Sequence, residues 1–137
     1  MKQSAIYLHF EGQCREAMTF YAACFGTTVG LTPYGATPPG EIPGAELAPE
    51  LIMHAELAVP GLHLMASDTL PGDTLAIGNN FSVSLACSSH LEMENLFQAL
   101  MTDGVLNMAL KDAFWGDRIG RVTDRFGVCW LLSFRAD

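Results

Sequence analysis

Apolar and polar residues alternate from Ala5 to Phe10, with Ile6, Leu8 and Phe10 on one side and Tyr7 and His9 on the other. This period of two predicts a strand, which Gly12 ends. From Cys14 the period changes. Ala17, Phe20, Tyr21 and Cys24 recur at three- and four-residue steps, which predicts a helix over 14–25 with Gly26 as its C-cap. A β-branched run over 27–34 predicts a short strand. Residues 35–50 hold four prolines and three glycines and predict a long irregular loop, the natural lid or dimer-contact element. Residues 51–59 and 62–67 predict a hairpin about Pro60-Gly61, with Met53, Ala55 and Leu57 on one face and His54 and Glu56 on the other. A connector over 68–79 follows.

The second half repeats this order. Phe81, Val83, Leu85 and Cys87 alternate with Ser82, Ser84 and Ala86. Residues 91–101 predict a helix with Leu96, Phe97 and Leu100 as its stripe, and strands are predicted over 105–110, 118–123 and 128–134. Leu8 to Phe20 is twelve residues, and so is Leu85 to Phe97. Each half reads β-α-β-β-β, one supersecondary unit used twice. We place the first module at 4–68 and the second at 79–135, within one domain of 1–137.

Composition narrows the function classes. Half of the 137 residues are hydrophobic and 16% are charged, with a mean hydropathy of +0.24, which excludes intrinsic disorder. No stretch reaches the roughly 18 apolar residues of a membrane span, so the apolar surplus points to a cavity or a subunit interface. A formal net charge of -8 argues against nucleic acid and anionic membranes as partners. Five of the seven cations nevertheless fall in the last 27 residues: Lys111, Arg118, Arg121, Arg125 and Arg135, beside Asp112, Asp117 and Asp124. They read either as ion pairs or as a local positive site. Cys14, Cys24, Cys87 and Cys129 form no Cys-x-x-Cys pair, and the start carries no export signal. Reduced thiols in a cytoplasmic protein are expected, with Cys14 at a helix start, where the dipole favours a thiolate.

Four segments carry a resemblance. They are Tyr7-Leu8-His9-Phe10-Glu11-Gly12-Gln13-Cys14-Arg15-Glu16-Ala17 with Phe20-Tyr21 and Phe25-Gly26, then Ile52-Met53-His54-Ala55-Glu56-Leu57, then Phe114-Trp115-Gly116-Asp117-Arg118, then Val122-Thr123-Asp124-Arg125-Phe126-Gly127-Val128-Cys129-Trp130. In this order, over nearly the whole chain, they resemble the PhnB-like branch of the vicinal oxygen chelate superfamily, which holds glyoxalase I, bleomycin-resistance proteins and extradiol dioxygenases. The resemblance implies an α+β fold of two tandem βαβββ modules whose curved sheets enclose a cavity, and a homodimer. Metal-dependent members take four inward-pointing His, Gln or Glu ligands from the first and last strands of each module. Those places carry Ala5 or Ile6, Leu64 or Met65, Ser82 and Leu131 here. None grips a divalent cation, so the usual metal site is expected to be absent, and no cofactor is implied. A methyltransferase-like label attaches to some members, but this chain has no Gly-rich strand-to-helix turn for a nucleotide-like methyl donor.

If apolar strand residues pack on the helices, Tyr7 and His9 face the cavity, as do His54 and Glu56, two residues apart on one strand. A carboxylate beside an imidazole raises its basicity and fixes its tautomer, so His54 and Glu56 are the candidate catalytic pair. The pair also reads as a solvent-facing polar pair. His63 joins it if its face allows. Ser82 and Ser84 are candidate ligand-binding hydroxyls. Trp115 and Arg118, with Arg121 near them, are candidates for an aromatic wall and a fork that holds a carboxylate or phosphonate. Three functions stay open: a cavity binding a small, partly apolar or anionic molecule without metal, a metalloenzyme with a shifted site, and a metal-free acid–base enzyme.

Overall fold

The computed structural model describes residues 1–136. The chain divides into two compact units, Met1–Ala76 and Ile77–Asp137. Each holds one helix and one open, mixed, four-stranded sheet.

In the first unit the order is β1 (Ile6–Phe10), α1 (Cys14–Phe25), β2 (Gly30–Pro33), β3 (Ile52–Val59) and β4 (Leu62–Asp68). The sheet runs β1-β4-β3-β2, with β1 parallel to β4 and the other pairs antiparallel. The second unit repeats this with β5 (Val83–Ala86), α2 (His90–Leu100), β6 (Val105–Asp112), β7 (Arg118–Thr123) and β8 (Cys129–Phe134), in the order β5-β8-β7-β6. The predicted duplication is therefore a duplication of topology, down to the parallel pair. Both units show the βαβββ order that the resemblance implies.

Each helix covers one face of its sheet. Cys14, Ala17, Met18, Tyr21 and Ala22 of α1 are buried with Ala55 and Leu57 of β3 and Leu64 and Ala66 of β4. Phe20 is only half-buried, one position off the buried stripe. In the second unit Met93, Phe97 and Leu100 are buried with Val122, Trp130 and Leu132. Helix α2 lies so close to β7 that a Cβ on Gly120 would stand 2.7 Å from Phe97 Cε2.

The helix starts differ in kind. Ser89 accepts a hydrogen bond from Glu92 N at 3.0 Å, and Glu92 Oε1 accepts from Ser88 N at 3.0 Å, a local capping pair. Gln13, the N-cap of α1, makes no side-chain cap. Asp68, 54 residues away, takes its place: its Oδ1 accepts from Cys14 N at 2.9 Å. Burial, then the Asp68 charge, push the Cys14 thiol up to about 12, so desolvation outweighs the helix dipole there.

Residues 35–50 are more regular than the proline pattern predicts. Single 3₁₀ turns form at Tyr34–Ala36 and Ala45–Leu47, and Tyr34, Ala45 and Ala48 are buried. The Tyr34 hydroxyl donates to the Asp68 carbonyl at 2.8 Å, anchoring the segment to the end of β4. Pro33 ends the edge strand β2 at a register shift, where a missing N–H costs no ladder bond. All four cysteines are free. No helix among the described residues is long and apolar enough to cross a membrane.

Candidate functional site

Alternation leaves the second face of the first sheet uncovered by its helix. Strand partners share a face, so the register fixes its contents. Tyr7, Met65, Glu56 and Gly30 form one row across the four strands. His9 stands opposite Ser67, and His54 opposite Thr32. His63 stands opposite Ala58. Three of the chain's four histidines thus lie on one uncovered face.

Glu56 is the centre of this group. Its Oε2 is hydrogen-bonded to His63 Nε2, and its Oε1 lies 3.7 Å from His54 Nε2. The His63 hydrogen bond, aided by the charges of both imidazoles, holds the Glu56 carboxyl below the usual glutamate range. The other ring nitrogen of His63 is 2.8 Å from Gln3 Nε2, which fixes the ring from the far side. Tyr7 completes the group, with its ring centroid 5.2 Å from that of His9 and 5.9 Å from that of His54. His63 also borders an open cleft of about 410 Å³, lined by Gln3, Ser4, Ala58, Val59 and Leu62. That volume is within the range of small-molecule sites.

The structure brings Tyr7, His9, His54 and Glu56 together on this face, and it adds His63 as the nearer imidazole. Among the described residues, no group of three or more His, Cys, Asp or Glu is arranged to hold a metal ion. The two halves of the pair His54–Glu56 are 38% and 48% exposed, so solvent screens their attraction.

The residues expected in the second half are placed separately from one another. Ser82 precedes β5, and Ser84 is exposed on the face of its sheet opposite α2. Arg118 is on the other side of that sheet, the side of Gly120 and Val122, and its Nη1 donates to Asp112 at 3.2 Å. Trp115 therefore pairs with a different arginine. In the turn after β6, its indole N–H donates to Asp117 Oδ2 at 2.8 Å. Arg135 donates to Asp117 Oδ1 at 2.6 Å and to the Trp115 carbonyl at 2.9 Å.

Arg135, then the Trp115 indole, lower the Asp117 carboxyl from the ordinary value of 3.8. A depressed folded value means that the stabilisation is present above that ordinary value and lost as pH falls through the folded one. The Trp115 indole proton, followed by NMR during acid titration, is expected to move with a midpoint below 3.8. In Arg135→Gln the midpoint should rise toward the ordinary value. An unchanged midpoint would show that Arg135 does not hold the turn.

A family model described as 3-demethylubiquinone-9 3-methyltransferase matches residues 2–133. Protein YjdN of Escherichia coli K12 is 29% identical over 135 residues, covering 93% of this chain and 91% of YjdN. The crystal structure of protein PA1353 from Pseudomonas aeruginosa is 37% identical, covers 100% of both chains and superposes with a TM-score of 0.86. A Bacillus cereus PhnB protein superposes with a TM-score of 0.76 at 24% identity, covering 97% of this chain and 99% of that one, a likeness of fold. With two βαβββ units whose fold is shared by glyoxalase/bleomycin resistance proteins, a matching model over nearly its full length and a 37% identical relative, the chain belongs to the 3-demethylubiquinone-9 3-methyltransferase family.

Proposed function

We propose that the protein binds a small, partly apolar molecule without a metal ion, against the uncovered face of its first sheet. The observation that carries this reading is the Glu56 carboxylate flanked by His63 and His54, beside a cleft of about 410 Å³. Tyr7 and Met65 supply apolar surface on that face, and the imidazoles and carboxylate supply a few directed polar contacts, the balance found in small-molecule sites. The reading includes a homodimer in the cytoplasm, on the family resemblance. It does not include methyl transfer. The β1–α1 turn, Glu11-Gly12-Gln13, has a single glycine where a nucleotide-like donor calls for close backbone approach at several.

A thermal-shift panel of small carboxylic acids and aromatic antibiotics tests the proposal. At least one class is expected to raise Tm in proportion to occupancy, and His63→Ala should abolish the rise. No stabilisation by any class overturns it.

One observation favours a second reading, acid–base catalysis. Glu56 Oε1 lies 3.7 Å from His54 Nε2, a carboxylate beside an imidazole. Under that reading His54 and Glu56 are the acid–base pair. A turnover lost in His54→Ala, and shifted in pH profile by Glu56→Gln, would establish it.

A further inference from the structure

The pairing of β2 with β3 skips one residue. Thr32 stands opposite His54, and the next residue, Pro33, opposite Ile52. Met53 is therefore the extra residue of a bulge and has no opposite number on β2. Its side chain is engaged elsewhere: Thr37 Oγ1 donates to Met53 Sδ at 3.2 Å. Thr37 ends the 3₁₀ turn Tyr34–Ala36, and its own N–H donates to the Tyr34 carbonyl at 2.9 Å. The Thr37–Met53 pair thus ties the proline-rich segment to β3, one residue before His54.

Among the described residues, Met53 is the one methionine whose sulfur accepts a hydrogen bond. Met18 and Met93 are fully buried, which shields them from solutes. Met53 is half-buried, and most of residues 35–50 beside it are exposed, so a small solute reaches it. A thioether sulfur carries two lone pairs, and adding oxygen to one or the other gives the two sulfoxide epimers. The Thr37 hydroxyl occupies one lone pair and, at 3.2 Å, leaves no room for an oxygen between them. Oxidation is confined to the other.

We propose that Met53 is a site of modification by peroxides, at which Thr37 directs the formation of one sulfoxide epimer. The free lone pair attacks one peroxide oxygen. The S–O bond forms as the O–O bond breaks, the sulfur is oxidised by two electrons, and the departing oxygen leaves with both protons as water. The oxidised sulfur is a poor acceptor, so the tie between Thr37 and β3 is released. Because one epimer forms, a single class of methionine sulfoxide reductase restores the thioether and the tie with it.

The test treats the folded protein with dilute hydrogen peroxide, then with one or the other epimer-specific reductase, and quantifies the Met53 peptide by mass spectrometry. One epimer is expected in about two- to tenfold excess, the ratio that a net hydrogen bond sets. Oxidation in denaturant should give near-equal epimers. So should Thr37→Ala, which keeps the backbone bonds of the turn. Thr37→Ser keeps the hydroxyl and should keep the excess. Hydrogen exchange at the Thr37 amide should quicken at least about twofold in the oxidised protein and return on reduction. Near-equal epimers in the folded protein, an undiminished excess in Thr37→Ala, a Met53 that stays reduced while Met65 oxidises, or exchange unaltered by oxidation would overturn the proposal.

Discussion

Asp68→Ala is expected to cost about 2–6 kcal/mol of folding stability, from two buried donors left without acceptors at about 1–3 kcal/mol each. The carboxylate is 2% exposed. Its Oδ1 accepts from Cys14 N and its Oδ2 from Ile52 N, each at 2.9 Å. One side chain thus caps α1 and also anchors the first residue of β3. Neither N–H has water to turn to, because Cys14 and Ile52 are both 0% exposed. Asp68→Asn separates the two roles. An amide keeps one acceptor oxygen and turns its NH₂ toward the other N–H, so it should recover only part of the loss. Ser67→Ala, one residue earlier and on the uncovered face, should change stability by less than about 0.5 kcal/mol. Chemical denaturation at constant slope reads all three. An Asp68→Ala protein within about 1 kcal/mol of the parent would show that the two donors find other acceptors. Against a typical total of 5–15 kcal/mol, the expected loss leaves a marginal fold.

The role of Asp68 marks where the sequence stops being legible. A local cap such as Ser89 is visible because its partner, Glu92, is three residues away. Asp68 is 54 residues from the helix it caps, in a stretch that reads as connector, and no periodicity links the two. The faces of β3 were legible, since Ala55 and Leu57 alternate with His54 and Glu56 and only one face can meet a helix. The face of His63 is open in the sequence and is set by the register: the turn at Pro60-Gly61 places Val59 opposite Leu62 and Ala58 opposite His63, which puts His63 on the face of Glu56. Arg118 was not legible either. Register shifts at Met108 displace β6 against β7, and Trp115 finds its arginine 20 residues on, at Arg135. Both depend on pairings between distant segments, which a pattern of hydrophobicity does not encode. The element order, by contrast, follows from local period alone and is recovered in both units.

A second buried aspartate extends the same logic to the second unit. Asp124 is 3% exposed, and its carboxylate gathers three donors. Oδ1 accepts from Phe126 N at 2.9 Å and Val128 N at 3.0 Å, and Oδ2 accepts from Trp130 Nε1 at 2.8 Å. The first two close the turn between β7 and β8, where Gly127 takes a φ of 90° that side-chain-bearing residues avoid. The third ties that turn to Trp130, the largest fully buried side chain. Asp124→Ala is therefore expected to cost about 3–5 kcal/mol, comparable to breaking a buried polar network. Asp124→Asn should preserve the turn, because the amide oxygen still accepts from Phe126 and Val128. It sets an NH₂ against the Trp130 indole N–H, so its loss should be concentrated at Trp130. A double-mutant cycle isolates that link. Trp130→Phe removes the indole N–H while keeping an aromatic ring, and in that background Asp124→Asn should cost less by about 0.5–3 kcal/mol. Strict additivity of the two substitutions would mean that the indole bond contributes nothing.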